Sequence, residues 1–276
     1  MKQIPVMING LPGNLASTIL AAAQADERFS VIQYSLTGPD TALSELTAET
    51  LTLSLIKPDD RDRVLARIRA DYPDVIVIDY THPSAVNANA LAYCRHTLPF
   101  VMGTTGGDRD ALVSTVNASQ TAAVIAPNMA KQIVGFQAMM AYAAEQFPDL
   151  FRGYRLDITE SHQSWKADTS GTAKAMVSYF NTLGIPFSAE EIRMERDPKV
   201  QALVWQIPPE HLNGHGWHTY TLGSGDGTAT FRFTHNINGR EIYAEGTLDA
   251  VIYLAARVRE QQKGMVFSMM DVLRGA

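Results

Sequence analysis

The segment richest in reactive side chains is Glu160-Ser161-His162-Gln163-Ser164-Trp165-Lys166-Ala167-Asp168-Thr169-Ser170-Gly171-Thr172. It reads as the passage from a strand near 155–159 into a helix near 172–183. His162 offers an acid/base and Lys166, four residues on, a cation. Ser170, Gly171 and Thr172 open the helix, where unpaired N–H groups and two hydroxyls make a cradle for a carboxylate. That combination suits an anionic substrate that must be protonated or polarised. The same residues serve equally well as a plain helix entry, with Asp168 or Ser170 capping and His162 on the surface.

A second segment, Gly10-Leu11-Pro12-Gly13-Asn14-Leu15-Ala16, lies between an apolar run and a helical pattern. Backbone N–H groups of such a turn, with the helix N-terminus, can face a pyrophosphate, and glycine permits the approach. Pro12 takes a position usually held by glycine and removes one donor. The competing reading is an ordinary strand-to-helix turn that needs glycine for its backbone. An acid at the end of the next strand would select NAD, but Tyr34-Ser35-Leu36-Thr37-Gly38 carries none before Asp40. Ser35 and Thr37 could bond a phosphate, so NADPH is the expected cofactor, with NADH as the alternative.

These residues need a frame. Short apolar runs (Val6 to Ile8, Val31 to Tyr34, Asp74 to Asp79, Phe100 to Met102, Ala122 to Ala126) alternate with helical patterns (14–25, 61–70, 84–95, 109–117). That order predicts a doubly wound α/β domain with a parallel, Rossmann-type sheet over residues 1–128. After a helix at 131–146 come alternating runs at 155–159, 203–207, 217–222 and 228–234. Asn238-Gly239 reads as a hairpin turn. Residues 129–244 are therefore expected to form an α+β domain, mostly antiparallel, that holds substrate. Residues 245–276 are expected to be a helical segment packing back on the first domain.

Composition excludes other classes. Of 276 residues, 46% are hydrophobic, enough for a core in each domain, and this argues against disorder. A net charge of −6 without a basic run argues against a nucleic-acid partner. The single cysteine, Cys94, can form neither an internal disulfide nor a cysteine zinc site and is expected to be inert core. No apolar stretch is long enough for a membrane span, so a soluble cytoplasmic protein is expected. His211, His215 and His218 have spacing that suggests metal ligands, but no carboxylate stands at a suitable offset, and no metal is expected. His235 is read as packing, and Met265, Met269 and Met270 as core.

Taken together, Glu160-x-His162, Lys166-x-Asp168-Thr169-Ser170-Gly171-Thr172-Ala173, the Gly10 to Ala16 loop, Gly103-Thr104-Thr105-Gly106 and Ala126-Pro127-Asn128-Met129 resemble one family. This is the 4-hydroxy-tetrahydrodipicolinate (dihydrodipicolinate) reductases, and the shortened Asp-Thr-Ser-Gly-Thr resembles its plant-type branch. The tail from Glu245-Gly246 to Met270-Asp271-Val272-Leu273 agrees. Gln163 departs from the second histidine of many bacterial members. The resemblance implies NAD(P)H-dependent reduction of (2S,4S)-4-hydroxy-2,3,4,5-tetrahydrodipicolinate to tetrahydrodipicolinate, in lysine and diaminopimelate biosynthesis. It makes His162 the acid/base and Lys166 the substrate-binding proton source, and gives substrate contacts to Thr104, Gln163, Ser170, Gly171 and Thr172. Gly10, Pro12, Gly13, Asn14 and Leu15 would hold the pyrophosphate. Thr81 would border the ribose, and Gly103, Thr105, Ala126 and Asn128 the nicotinamide. A homotetramer or homodimer is expected, through an apolar sheet face of the second domain. The competing functions are a dehydrogenase of another amino-acid intermediate and a non-catalytic NADPH-binding sensor.

Overall fold

The structure, a computed structural model, describes residues 2–275. The chain begins with β1 (Ile4–Asn9), α1 (Asn14–Ala25), β2 (Phe29–Val31), β3 (Tyr34–Leu36), β4 (Glu45–Ala48), β5 (Leu51–Ile56) and α2 (Arg61–Asp71). β6 (Ile76–Asp79), α3 (Val86–Arg95), β7 (Phe100–Met102), α4 (Arg109–Asn117), β8 (Ala122–Ile125) and α5 (Lys131–Gln146) follow. Then come β9 (Arg155–His162), α6 (Gly171–Thr182), β10 (Arg193–Glu195), α7 (Pro198–Leu203), β11 (His215–Gly223) and β12 (Thr230–Asn238). The chain closes with α8 (Glu241–Arg259), β13 (Met265–Phe267) and α9 (Met269–Gly275). The elements group into two units, residues 2–134 with 241–275, and residues 135–240.

In the first unit six parallel strands run in the order β13-β8-β7-β6-β1-β2. Helices cover both faces, which is why β6 and β7 are buried at every residue. One face packs α1 and α8 through Ile19, Leu20, Leu248, Val251 and Leu254. The other packs α2, α3 and α4 through Leu65, Ile68, Tyr93, Leu112 and Val116. Each fully buried Leu or Ile stabilises this layer by about 1.5–3 kcal/mol. This is the doubly wound Rossmann-type half.

Several sequence expectations change here. The run at 31–34 is two strands, because Ile32 turns inward (4% exposed) and the chain leaves the main sheet. β3, β5 and β4 make a separate three-stranded sheet that the sequence pattern did not show, since Thr and Ser interrupt its apolar positions. The C-terminal segment is not one helix: β13 breaks it and adds a sixth parallel strand beside β8. Met269 is core, but Met265 is 43% exposed on that edge strand. The unit boundary falls within α5 at Val134, beyond Asn128, and the chain returns at Glu241. The first turn of α5 stays with the first unit because Lys131 pairs with Asp249 of α8.

The second unit is built on a mixed sheet, β10-β9-β11-β12, antiparallel except for the β10–β9 pair. Met140 and Ala144 of α5 and Ala173, Met176, Val177 and Phe180 of α6 cover one face, against Ile158, Tyr220 and Leu222. The other face carries Thr219, Thr221, Arg232, Thr234 and Asn236, so the exposed sheet face is polar, not apolar as expected. Residues 203–207 are not a strand, because Pro198 starts α7 and Gln206 adopts a left-handed backbone at φ 57°. The hairpin connects β11 to β12 through Ser224-Gly225-Asp226-Gly227. Asn238-Gly239 instead turns β12 into α8.

Candidate active site

In the first unit a cavity of about 830 Å³ opens at the carboxyl ends of β1, β3 and β6. Gly10, Leu11, Pro12, Gly13, Thr37, Thr81 and Arg61 line it, among others. Gly10 has φ +105°, and a Cβ there would lie 2.2 Å from the Tyr80 carbonyl oxygen, so only glycine fits. The Gly13 N–H closes a turn on the Gly10 carbonyl at 2.8 Å, and Pro12 has no N–H. The loop's own donors are therefore fewer than the motif implied. The N-terminus of α1, which begins at Asn14 and continues with Leu15, has no side-chain cap and supplies the open donors instead.

A buried carboxylate organises the rim. Asp79, at the end of β6 and fully buried, accepts at Oδ2 from the Tyr93 hydroxyl (2.6 Å) and Asn89 Nδ2 (3.0 Å). Its Oδ1 accepts from the Thr81 hydroxyl (2.7 Å) and the Thr104 hydroxyl (3.0 Å). Thr104 is only 6% exposed, so the hydroxyl expected to touch substrate is spent on Asp79. Ser35 is also displaced from its expected role. Its side chain is fully buried in β3 and donates to the Leu36 carbonyl, whereas Thr37 lines the cavity with its hydroxyl held by the Leu11 carbonyl and the Thr41 hydroxyl, both at 2.8 Å. Gly103 faces the Tyr80 ring, where a Cβ would come within 2.2 Å of Cζ. Thr105 is exposed, Ala126 buried, and Asn128 accepts from the Ala130 N–H at 2.9 Å.

The sequence showed no cation beside this loop, but the fold brings one. Arg61, at the start of α2, donates from Nη1 to Asn89 Oδ1 (3.0 Å), and its buried Nε has no hydrogen-bond partner among the described residues. It is the one Lys or Arg among the described lining residues of this cavity. No sequence signal placed it there, since α2 follows the unrecognised three-stranded sheet.

In the second unit the reactive segment converges on Glu160. β9 and β11 pair His162 with Gly216 and Glu160 with His218, placing both histidines beside one carboxylate. His162 Nδ1 is 3.8 Å from Glu160 Oε1, and His218 Nε2 is 3.5 Å from Oε2. Arg196 Nη2 lies 2.7 Å from Oε1, and the Ser170 N–H donates to the same carboxylate at 3.0 Å. Lys166 reaches Asp168 Oδ1 at 2.6 Å on the same loop. α6 begins at Gly171 with no side-chain cap from Ser170, so its first N–H groups stay open, and Thr172 is half-buried beside them. Gln163 is half-buried and its carbonyl accepts from the Lys166 N–H. An imidazole at the end of β9, an ammonium on the following loop and the open N-terminus of α6 thus lie along one short stretch of chain.

Glu160, His162 and His218 each place a ligand atom within 4.8 Å of the others. The Arg196 guanidinium pairs with Glu160 Oε1 beside them at 2.7 Å. His215, one of the three histidines singled out by spacing, instead bonds Ser161 Oγ (2.9 Å) and faces the His211 carbonyl. Cys94 is buried, and burial raises its thiol pKa.

Burial pushes the Glu160 pKa up, but the close His218 imidazole, the Arg196 guanidinium that bonds it and the nearby His162 outweigh burial and hold the pKa at about 2. Burial lowers His162 to about 3; His218, Arg196 and Lys166 add to that and Glu160 opposes it. Burial likewise lowers His235 to about 3, where it stacks on His218 at 4.5 Å. Below pH 6.5 the unfolded chain protonates these histidines while the folded chain does not. The unfolded state then binds more protons, so stability is lost as the pH is lowered below about 6.5. At pH 5 the loss for His162 is about 2 kcal/mol relative to pH 7. Calorimetric melting is expected to give a Tm several degrees lower at pH 5 than at pH 7, and a smaller drop in His235→Gln. A Tm flat across that range would contradict the neutral imidazoles.

Comparison with known proteins covers the same two units. The family described as dihydrodipicolinate reductase, N-terminus, matches residues 4–129, and dihydrodipicolinate reductase, C-terminus, matches 133–273. In Arabidopsis thaliana, 4-hydroxy-tetrahydrodipicolinate reductase 1, chloroplastic, is 45% identical over 272 residues, spanning 98% of this chain and 78% of that protein. The Nitratidesulfovibrio vulgaris (strain Miyazaki F) 4-hydroxy-tetrahydrodipicolinate reductase is 28% identical over 281 residues, spanning 97% and 98%. A dipicolinate-bound dihydrodipicolinate reductase from Paenisporosarcina sp. TG-14 shares the fold, with TM-score 0.66 at 16% identity, over 98% and 99% of the two chains. An engineered D-amino acid dehydrogenase bound to NADP+ shares it more distantly, with TM-score 0.51 at 12% identity, over 98% and 94%. No helix among the described residues is long and apolar enough to cross a membrane. With both halves matched in order, and the plant relative nearer in sequence than the bacterial one, this chain belongs to the dihydrodipicolinate reductase family, on its plant-type side.

Proposed function

We propose that the protein reduces 4-hydroxy-tetrahydrodipicolinate to tetrahydrodipicolinate with NADPH, as an oxidoreductase of lysine and diaminopimelate biosynthesis. The observation that carries this reading is the loop on which His162, Lys166 and the open N-terminus of α6 stand together. A dicarboxylate fits it: Lys166 takes one carboxylate by charge, and the N–H groups of Gly171 and Thr172, with the hydroxyls of Ser170 and Thr172, take another. Gln163 adds a neutral hydrogen bond. His162 holds the proton that draws electron density from the carbon being reduced.

A reduced nicotinamide, when bound, supplies the hydride. The first unit fits such a dinucleotide: the cavity is roomy, the α1 N-terminus is open, and Arg61 carries an unpartnered N–H at its wall. Gly10, Pro12, Gly13, Asn14 and Leu15 hold the pyrophosphate. Thr81 borders the ribose, and Gly103, Thr105, Ala126 and Asn128 border the nicotinamide, with Thr104 acting through Asp79. Thr37 and Arg61 favour the additional phosphate of NADPH over NADH. The test is a coupled assay in which the upstream synthase generates substrate and oxidation of NADPH and NADH is followed separately. Substrate-dependent oxidation is expected with both, faster with NADPH. Arg61→Ala should weaken NADPH binding in a calorimetric titration by about tenfold, the scale of one charge-assisted hydrogen bond, and leave NADH within about twofold. If neither cofactor is oxidised the reading fails, and equal losses for both would remove Arg61 from phosphate recognition.

The same reading makes the protein a cytoplasmic homo-oligomer. Support for assembly comes from β12, nine residues long and paired on one side only among the described residues. Exposed Met139, Tyr142, Phe147 and Leu150 along and just beyond α5 add to it. Light scattering is expected to return a dimer or tetramer mass. A monomer at micromolar concentration would refute it.

A further inference from the structure

Glu160 is fully buried at the centre of the reactive loop, yet the reading above gives it no task. We propose that Glu160 and Arg196 act as one positioning unit that sets Lys166, the mouth of α6 and His162 relative to one another. This rests on the functional reading of that loop. Arg196, at the end of β10, uses its planar fork in several directions at once. Nε donates to the Lys166 carbonyl (2.8 Å), Nη1 to the Glu195 carbonyl (2.8 Å), and Nη2 to Glu160 Oε1 (2.7 Å) and the Asp168 carbonyl (3.4 Å). The loop that carries Lys166 is therefore tied to β9 and β10 through one guanidinium, at the Lys166 carbonyl and at the Asp168 carbonyl two residues on.

Glu160 completes the tie. Its two oxygens both face the Ser170 N–H, at 3.2 and 3.0 Å, which fixes the residue where α6 begins. A carboxylate spent on that donor and on Arg196 keeps the next N–H groups of α6 free to face outward. Arg196 is not a free anion ligand, because its donors are committed to Glu160 and to backbone carbonyls. A lysine at 196 would keep the charge but lose the fork, and could not hold Glu160 and both loop carbonyls at once. Four charged or titratable groups face His162: Glu160 on its own strand, Lys166 on the following loop, Arg196 beyond β10 and His218 on β11. Glu160 is the member of this set that favours the imidazolium. One residue thus sets the anion cradle and the proton affinity of the acid.

The test uses the full-length protein with pyridine-2,6-dicarboxylate as calorimetric probe, beside steady-state kinetics. Wild type should bind the probe and Lys166→Ala should bind it poorly, which checks the underlying reading. Arg196→Lys is expected to raise the probe Kd and the substrate KM at least tenfold, with NADPH affinity within twofold. Glu160→Gln keeps the side-chain shape and an acceptor for Ser170. It is expected to move the alkaline limb of the kcat profile down by about one pH unit. Glu160→Gln/Arg196→Lys should be no worse than the worse single variant, the mark of a shared unit. If Arg196→Lys does not fold, the pH profile of Glu160→Gln decides the question. Probe binding within twofold of wild type in Arg196→Lys, an unmoved pH limb, or additive losses would overturn the proposal. If wild type does not bind the probe, the functional reading falls and the proposal with it.

Discussion

Replacing His162 with alanine is expected to lower kcat about 100-fold or more, the scale of a lost acid/base, with cofactor affinity unchanged. The cofactor cavity is built from the first unit, whereas His162 stands on β9 of the second. In the free protein His162 is neutral at pH 7, since burial and the neighbouring cations depress its pKa to about 3. An acid must be protonated before it donates. A substrate bearing two carboxylates supplies the counter-charge, and an opposite charge within about 4–6 Å raises a pKa by roughly 1–3 units. Binding of pyridine-2,6-dicarboxylate at pH 6, close to the top of that range, should therefore draw a proton from solution. Calorimetry in two buffers of different ionisation enthalpy would detect that uptake, and His162→Ala should abolish it. Normal turnover in a folded His162→Ala protein would place the acid elsewhere.

Lys166→Ala is expected to act on binding and on turnover. Loss of the charge-assisted contact to one carboxylate costs roughly 2–3 kcal/mol, or about 30- to 150-fold in KM. The probe Kd should rise by a similar factor. Asp168, held low in pKa by its hydrogen bond from Lys166, loses its partner in the same variant. Lys166→Arg should recover part of the binding, because charge survives while the geometry at the proton does not. Kinetics within a few-fold of wild type for Lys166→Ala would show that the ammonium merely pairs with Asp168.

The sequence by itself determined the frame and the reactive loop. Strand runs such as Ile76 to Ile78 and Phe100–Met102 are apolar throughout because both sheet faces are covered, and such runs are legible without a structure. The loop from Glu160 to Thr172 was legible because its chemistry is contiguous in sequence. Everything that depends on distant pairing was not. The run at 31–34 hid a sheet change, and β13 hid in an apparent helix, because short strands gain their stability from neighbours far along the chain. Thr104 and Ser35 look like ligand contacts by type, but the fold spends the first on Asp79 and buries the second. Arg61 reaches the cofactor cavity, and Arg196 and His218 reach Glu160, only when helices and strands separated by tens of residues pack together. Tertiary structure decided these because a buried carboxylate needs partners, and the fold brings them from whichever element lies closest in space.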